Sequence, residues 1–268
     1  MKINVHGNLK FITFDHISNT DLVNHAFTTR CGGVSSGNFS TLNLGLSRDD
    51  NKRDVLENYK IIAKSVGFDI ENIVFSNQIH ADHVHVATEI DRGNGILRKS
   101  TIFDTDAFIT NTKNVVLQTF HADCVPVFLL DPVKKVAGVV HAGWKGTLIE
   151  ISSVTVKKMM DVFDTNPKDV LAGIGPSIGP TAFEVDEDVM LQFENRNSEF
   201  KKFIKASENN KYFIDLWEIN KYSLINAGVQ VENIEISGLC TFSDKDMFYS
   251  HRAMGDDRGT MSAFIELK

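Results

Sequence analysis

The sequence is poor in proline and cysteine and has no long hydrophobic run. Five prolines and short Gly/Ser tracts in 268 residues leave nothing that reads as an interdomain linker. No repeat of solenoid or propeller period is present. Three cysteines at wide spacing, Cys31, Cys124 and Cys240, exclude a disulfide framework and fit a reducing, cytoplasmic setting. The longest apolar run, Val125 to Leu130, is far too short to span a membrane. The N-terminal stretch Met1-Lys2-Ile3-Asn4-Val5-His6 lacks the apolar segment of a signal peptide. Basic stripes are also missing. Asp and Glu outnumber Lys and Arg by 35 to 28, a net charge of −7, and the Lys pairs stand alone, which argues against nucleic acid as a partner.

What is present is an ordinary globular composition, 42% apolar and 24% charged. A chain of this size buries a substantial core without staples. We read residues 1–268 as one domain. Short β-favouring runs at Phe11–Phe14 and Val23–Thr28 precede a loop of 16 residues from Arg30 to Gly45. Val55, Tyr59, Ile62 and Val66 step by 4, 3 and 4 along one helical face, and Gly67 stands where a C-terminal cap belongs. Strands are expected at Ile73–Phe75 and Val84–Ala87, then a loop over Asp91–Ser100. Four further apolar runs, Ala107–Ile109, Val115–Phe120, Val125–Leu130 and Val136–Val140, read as strands buried on both faces. A helix over Thr147–Phe163 with the stripe Ile149, Val156, Met160, Phe163 follows, then a strand at Val170–Ile174. Helices at Asp186–Phe193 and Asp215–Ala227 and a strand at Ile234–Ile236 complete the pattern. The fold class is therefore α/β, a layered α/β/α arrangement with a mixed sheet.

Three segments concentrate chemistry. His121-Ala122-Asp123-Cys124 joins two apolar strands, so its polar groups need partners or a cleft; Cys124 alone would also serve as a small buried hydrophobe. His141 ends an apolar strand and is followed by Gly143 and Gly146 and the start of a helix, where an anion would find unsatisfied amides. Those glycines equally make a plain tight turn. The third segment, Gln78-Ile79-His80-Ala81-Asp82-His83-Val84-His85, alternates its imidazoles between two faces, so His83 and His85 need not act with His80. His80, Cys124 and His141 together offer two imidazoles and a thiolate, a set that suits zinc with one coordination position left open.

On several of these pieces the chain resembles the YfiH-like, laccase-domain family, first named as multicopper polyphenol oxidases. The matching segments are Phe27-Thr28-Thr29-Arg30-Cys31-Gly32-Gly33-Val34-Ser35, Asn43-Leu44, Gln78-Ile79-His80, Ala122-Asp123-Cys124, His141-Ala142-Gly143-Trp144, Gly175-Pro176-Ser177-Ile178-Gly179 and Glu184-Val185. Their order along the chain is the specific signal. The resemblance implies a zinc-dependent purine nucleoside phosphorylase acting on adenosine, inosine, guanosine and methylthioadenosine, with adenosine deaminase side activity. It implies metal ligands at His80, Cys124 and His141 and a one-domain α/β/α fold. Two departures appear: Ala182-Phe183 stands where relatives often carry Cys-Tyr, and His251-Arg252, with Arg258 after Asp256-Asp257, where Arg-Arg is usual.

Phosphorolysis needs an anion held near the ribose and a stabilised leaving purine. Arg30 is the expected phosphate holder, because its planar fork matches phosphate oxygens. Asn43 and Gln78 are expected to hydrogen-bond ribose or base. Asp123 would relay a proton or orient a ligand. Zinc would orient substrate or supply hydroxide at neutral pH, which would also account for deamination. The alternatives are a cysteine hydrolase or amidase with Cys124 as nucleophile and His141 as base, acting on a cell-wall precursor, and a copper-dependent polyphenol oxidase. A zinc-stabilised binding module is the non-enzymatic reading. The expected partners are purine nucleosides and phosphate, without nucleic acid or membrane, and the expected assembly is a monomer or weak homodimer. The sequence leaves open whether His83, His85, His121 and His251 line the pocket.

Overall fold

The computed structural model describes residues 1–268 and divides their strands among two six-stranded sheets and one three-stranded sheet. The first sheet runs, edge to edge, Lys2–His6, Leu9–Thr13, Val23–Thr28, Met261–Leu267, Val116–His121 and Ile73–Val74. The second runs Ile234–Ile236, Leu171–Ile174, Val125–Asp131, Val136–Ala142, Ala107–Thr110 and Val84–Val86. Both are mixed, with parallel pairing only toward their edges: Ile73–Val74 on Val116–His121, Leu171–Ile174 on Ile234–Ile236, and Val84–Val86 on Ala107–Thr110. The small antiparallel sheet joins Glu184–Asp186, Lys211–Ile214 and Ile204–Ala206.

Side-chain alternation along the strands builds the layers. In the strand Val125–Asp131, Val125, Val127 and Leu129 enter a core shared with the helices Ile151–Phe163 and Leu216–Asn226. Phe128 and Leu130 of the same strand enter a second core, between the two large sheets, where they join Phe27, Leu117, Ala263 and Ile265. Phe264 and Val116 point out of the other side of the first sheet, onto Val55, Tyr59 and Ile62 of the helix Lys52–Val66. The continuous apolar runs are thus explained by a core on each face. Helices flank the sheets as expected for an α/β layered fold, and the strands between them form two stacked sheets. No helix is long and apolar enough to cross a membrane.

Local chemistry sets the helix ends. Asn51 accepts from the Arg53 amide, and Gly67 closes Lys52–Val66 at φ 96°. Asp215 accepts from the Trp217 and Glu218 amides and starts Leu216–Asn226. The helix expected over Thr147–Phe163 is two helices, Trp144–Leu148 and Ile151–Phe163. Glu150, at φ 60°, turns the chain between them and resets the phase of the apolar stripe. Met159 is therefore fully buried while Met160 is 37% exposed. The helix expected at Asp186–Phe193 runs Glu187–Arg196. The central strand Met261–Leu267 was not expected at all, because Ser262 and Glu266 interrupt its apolar pattern; both are buried.

Candidate metal centre and its two cavities

The second sheet brings two of the three candidate ligands together. Antiparallel pairing of Val125 with Ala142 and Pro126 with His141 sets the start of one strand, preceded by Cys124, beside the end of the next, which carries His141. His80 comes from the loop between Ile73–Val74 and Val84–Val86, and its backbone takes φ 61°. The ligand atoms of His80, Cys124 and His141 all lie within 4.8 Å of one another. Gly143 keeps the space open: a Cβ there would stand 2.3 Å from His80 Nδ1 and 3.1 Å from Cys124 Sγ. Two imidazole nitrogens and a thiolate at this separation fit a zinc ion with an open coordination position. The expected helix amides beyond His141 contribute little, since Trp144–Leu148 has only five residues.

Asp106 organises this cluster, and no motif announced it. Its Oδ1 accepts from the His80 amide at 3.0 Å and from His141 Nδ1 at 2.8 Å. Its Oδ2 accepts from the amides of Ile79 at 3.1 Å and Ala81 at 3.0 Å. The Asp106 carbonyl also accepts from the His141 amide at 2.7 Å. With Nδ1 of His141 donating to a carboxylate, Nε2 is the nitrogen left for a metal, whose binding would displace the proton it carries. Burial would lift the Asp106 carboxyl, but the bonds from His141 and the loop amides outweigh it and hold it below the usual carboxylate range. Burial pulls His141 down, yet Cys124 and Asp106 together push it up to about 9 without an ion. His80 is lowered, by burial first and then by the neighbouring charge of His141.

The remaining sequence candidates divide. His121 lies beside His141, with ring centroids 5.3 Å apart and the rings tilted by 59°, but both its nitrogens are committed. Nδ1 donates to the Cys124 carbonyl at 3.1 Å and Nε2 accepts from the Thr119 hydroxyl at 2.8 Å. It is a neutral support, driven far below its ordinary pKa by burial and His141. Asp123 accepts from Thr241 Oγ1 at 2.6 Å, Ser250 Oγ at 3.0 Å and the Arg252 amide at 2.7 Å. Gln78 bonds the Phe120 backbone at both ends of its amide, 2.9 Å and 2.6 Å, tying the His80 loop to the first sheet. Asn43 is fully buried and spends its amide on Asp50, Gly45 and Thr260. Arg30 stacks over Tyr249 at 4.7 Å and donates to the carbonyls of Ser40 and Lys245, both at 2.9 Å. The depressions it lines share no residue with the cavities around His80. His83 donates outward to the Asp104 carbonyl at 2.8 Å and His85 pairs with Asp91, so neither joins the cluster.

Two cavities meet at the cluster, and His80, Ala122 and Cys124 line both. One, of about 520 Å³, is walled by Trp144, Ile178, Phe183, Val185 and Leu216, with His251 and Arg252 at its rim. The two departures noted in the sequence, Phe183 and His251, therefore fall in this one cavity. The other, of about 470 Å³, is polar and holds Ser76, Gln78, His141, Thr260 and two arginines, Arg48 and Arg258. Burial, then repulsion from Arg48, brings Arg258 down to about 10. Arg48 carried no sequence signal, and nothing in the sequence tied it to Arg258, because their nearness depends on loops from opposite ends of the chain.

Residues 24–268 match the family described as multi-copper polyphenol oxidoreductase laccase. The chain is 40% identical over 243 residues, 90% of its length and 87% of the relative's, to a Bacillus subtilis protein named purine nucleoside phosphorylase YlmD. A Bacteroides thetaiotaomicron protein named purine nucleoside phosphorylase is 30% identical, over 98% of both chains. The crystal structure of the Bacillus licheniformis hypothetical protein YfiH superposes with a TM-score of 0.92 at 34% identity, covering 99% of each chain.

Proposed function

The chain belongs to the multi-copper polyphenol oxidoreductase laccase family of YfiH-like proteins, and from that premise we propose that it is a zinc-dependent purine nucleoside phosphorylase with adenosine deaminase side activity. The observation that carries the reading is the convergence of His80, Cys124 and His141 within 4.8 Å at the wall between two cavities. The name borne by relatives at 30% and 40% identity supports the reaction class. Residues 1–268 act as one domain, cytoplasmic, as a monomer or weak homodimer. Adenosine, inosine, guanosine and methylthioadenosine are the substrates.

The apolar cavity receives the purine. Trp144 and Phe183 give it aromatic lining against which a base can pack, and the surrounding aliphatic side chains keep water from it. The ribose then lies over the shared wall of His80, Ala122 and Cys124. Held by His80, Cys124 and His141, zinc would supply Lewis acidity toward the substrate. Asp106 fixes the His141 imidazole and the backbone of His80, which sets both residues at the cluster. Asp123 is a positioning residue: its three hydrogen bonds fix the segment that carries His251 and Arg252 at the cavity rim.

The test is metal analysis joined to product analysis, with and without phosphate, on those four nucleosides. Zinc should accompany activity, and free base should appear only when phosphate is present. His80→Ala and Cys124→Ala should each lose the metal and most of the turnover; full activity in both contradicts the assignment. The contact between Cys124 and His141 favours one second reading, the cysteine hydrolase. Iodoacetamide separates the two. A metal-held thiolate resists alkylation, whereas a free catalytic one is labelled rapidly with loss of activity. A multi-copper oxidase needs several clusters of ligands, and a single group of suitably placed donors is present.

A further inference from the structure

The polar cavity holds a feature that no protein contact explains. Arg258 is 7% exposed, and its Nε has no hydrogen-bond partner. Burying a charged donor without a partner is costly, so such groups are rare unless something outside the fold completes them. Arg258 Nη1 donates to the Gly259 carbonyl at 3.0 Å. Arg48, half-buried, donates Nη1 to the Asp256 carbonyl at 3.2 Å and Nε to Thr260 Oγ1 at 3.4 Å. These bonds run to carbonyls and a hydroxyl, not to a carboxylate that would neutralise either charge. Gly45 permits the approach, since a Cβ there would stand 2.8 Å from both Arg48 Cγ and Thr260 Oγ1.

We propose that Arg48 and Arg258 form the subsite for inorganic phosphate, the co-substrate, in the cavity across the metal cluster from the purine. Two guanidiniums suit a dianion with several acceptor oxygens, and one of them, Arg258, lines the cavity and has a buried donor that no protein group satisfies. The proposal rests on the phosphorolysis reading and replaces Arg30, which lines depressions that share no residue with the two cavities at the cluster. The layout fits the chemistry of the step. A phosphate oxygen forms a bond to ribose C1′ while the C1′–N9 bond breaks. The electron pair of that bond leaves with the purine, and the proton carried by the hydrogen phosphate ends on the purine, giving free base and ribose 1-phosphate. Phosphate on one side of the shared wall and base on the other sets attacking and leaving groups on opposite sides of the sugar. Asn43 then acts through others, because its carbonyl oxygen holds the Gly45 and Thr260 amides that frame Arg48.

The test uses Arg48→Gln, at a half-exposed site where folding is safe, and Arg258→Met, which keeps the buried volume. Binding of inorganic phosphate is measured by calorimetry on metal-loaded and metal-free protein, and KM is measured separately for phosphate and for inosine. Each variant should raise the phosphate dissociation constant and the phosphate KM on the order of ten- to a hundred-fold, with the inosine KM changed less than threefold. Phosphate binding that is lost in both variants, in a wild type that releases no base, upholds the subsite and overturns the phosphorolysis reading. Phosphorolysis with unchanged phosphate KM in both variants overturns the subsite and leaves that reading standing. A raised phosphate KM in Arg30→Gln, with Arg48→Gln behaving as wild type, likewise overturns it.

Discussion

Asp106→Asn is the sharpest perturbation of the centre, because it changes one oxygen to an amide nitrogen and almost nothing else. Each carboxylate oxygen of Asp106 accepts two N–H donors, so either orientation of the new amide turns two acceptances into donor–donor contacts. If the nitrogen faces Ile79 and Ala81, the loop carrying His80 loses its anchor. If it faces the His80 amide and His141 Nδ1, His141 is driven to the tautomer with its proton on Nε2, where the metal should be. Two buried hydrogen bonds at about 1–3 kcal/mol each put the loss of stability at roughly 2–6 kcal/mol. Zinc affinity should fall about 10- to 100-fold, the usual consequence of removing a partner that orients a ligand. Urea unfolding of the metal-free protein measures the first quantity and competition against a chelator the second. A variant that unfolds like wild type and holds zinc equally well would refute the role given to Asp106.

The glycine at the cluster gives a second prediction. Gly143→Ala should displace His80 and weaken zinc binding at least tenfold while the melting temperature of the metal-free protein moves little; unchanged zinc affinity would contradict it. A third concerns acid. His25 is buried, accepts from the Phe14 amide at 2.9 Å, and is pulled from 6.5 down to about 3 by burial, with smaller contributions from His16 and Lys268. The neutral ring is favoured in the fold, so this contribution is fully present above pH 6.5 and drains away as pH falls toward 3. Between pH 7 and pH 4 wild type should therefore lose about 3 kcal/mol more stability than His25→Gln; parallel pH profiles in urea would show that His25 does not carry it.

Much of the cluster of His80, Cys124 and His141 was legible in the sequence because each of its residues follows its own local signal. Cys124 and His141 abut apolar strands, and His80 sits in a polar run between two β-favouring segments. The helix Lys52–Val66 was legible for the same reason, since its stripe and its glycine cap are local. Asp106 was not, because its role depends on donors 26 and 35 positions away in the chain. Arg30 looked like an anion holder by residue type, yet the fold sets it in depressions that share no residue with the cavities around His80. Asp123 looked ionisable and available, and three hydrogen bonds commit it to holding a loop. The division into two stacked sheets was also hidden. Continuous apolar strands report burial on both faces without saying whether helices or a second sheet do the covering.

Extended X-ray absorption at the zinc edge of the loaded protein tests the central claim most directly. The account predicts one sulfur scatterer at about 2.3 Å and two imidazole nitrogens at about 2.0–2.1 Å, with the sulfur signal absent in Cys124→Ala. A zinc shell without sulfur, or one unchanged by Cys124→Ala, would show that the ion sits elsewhere and that His80, Cys124 and His141 do not form the centre.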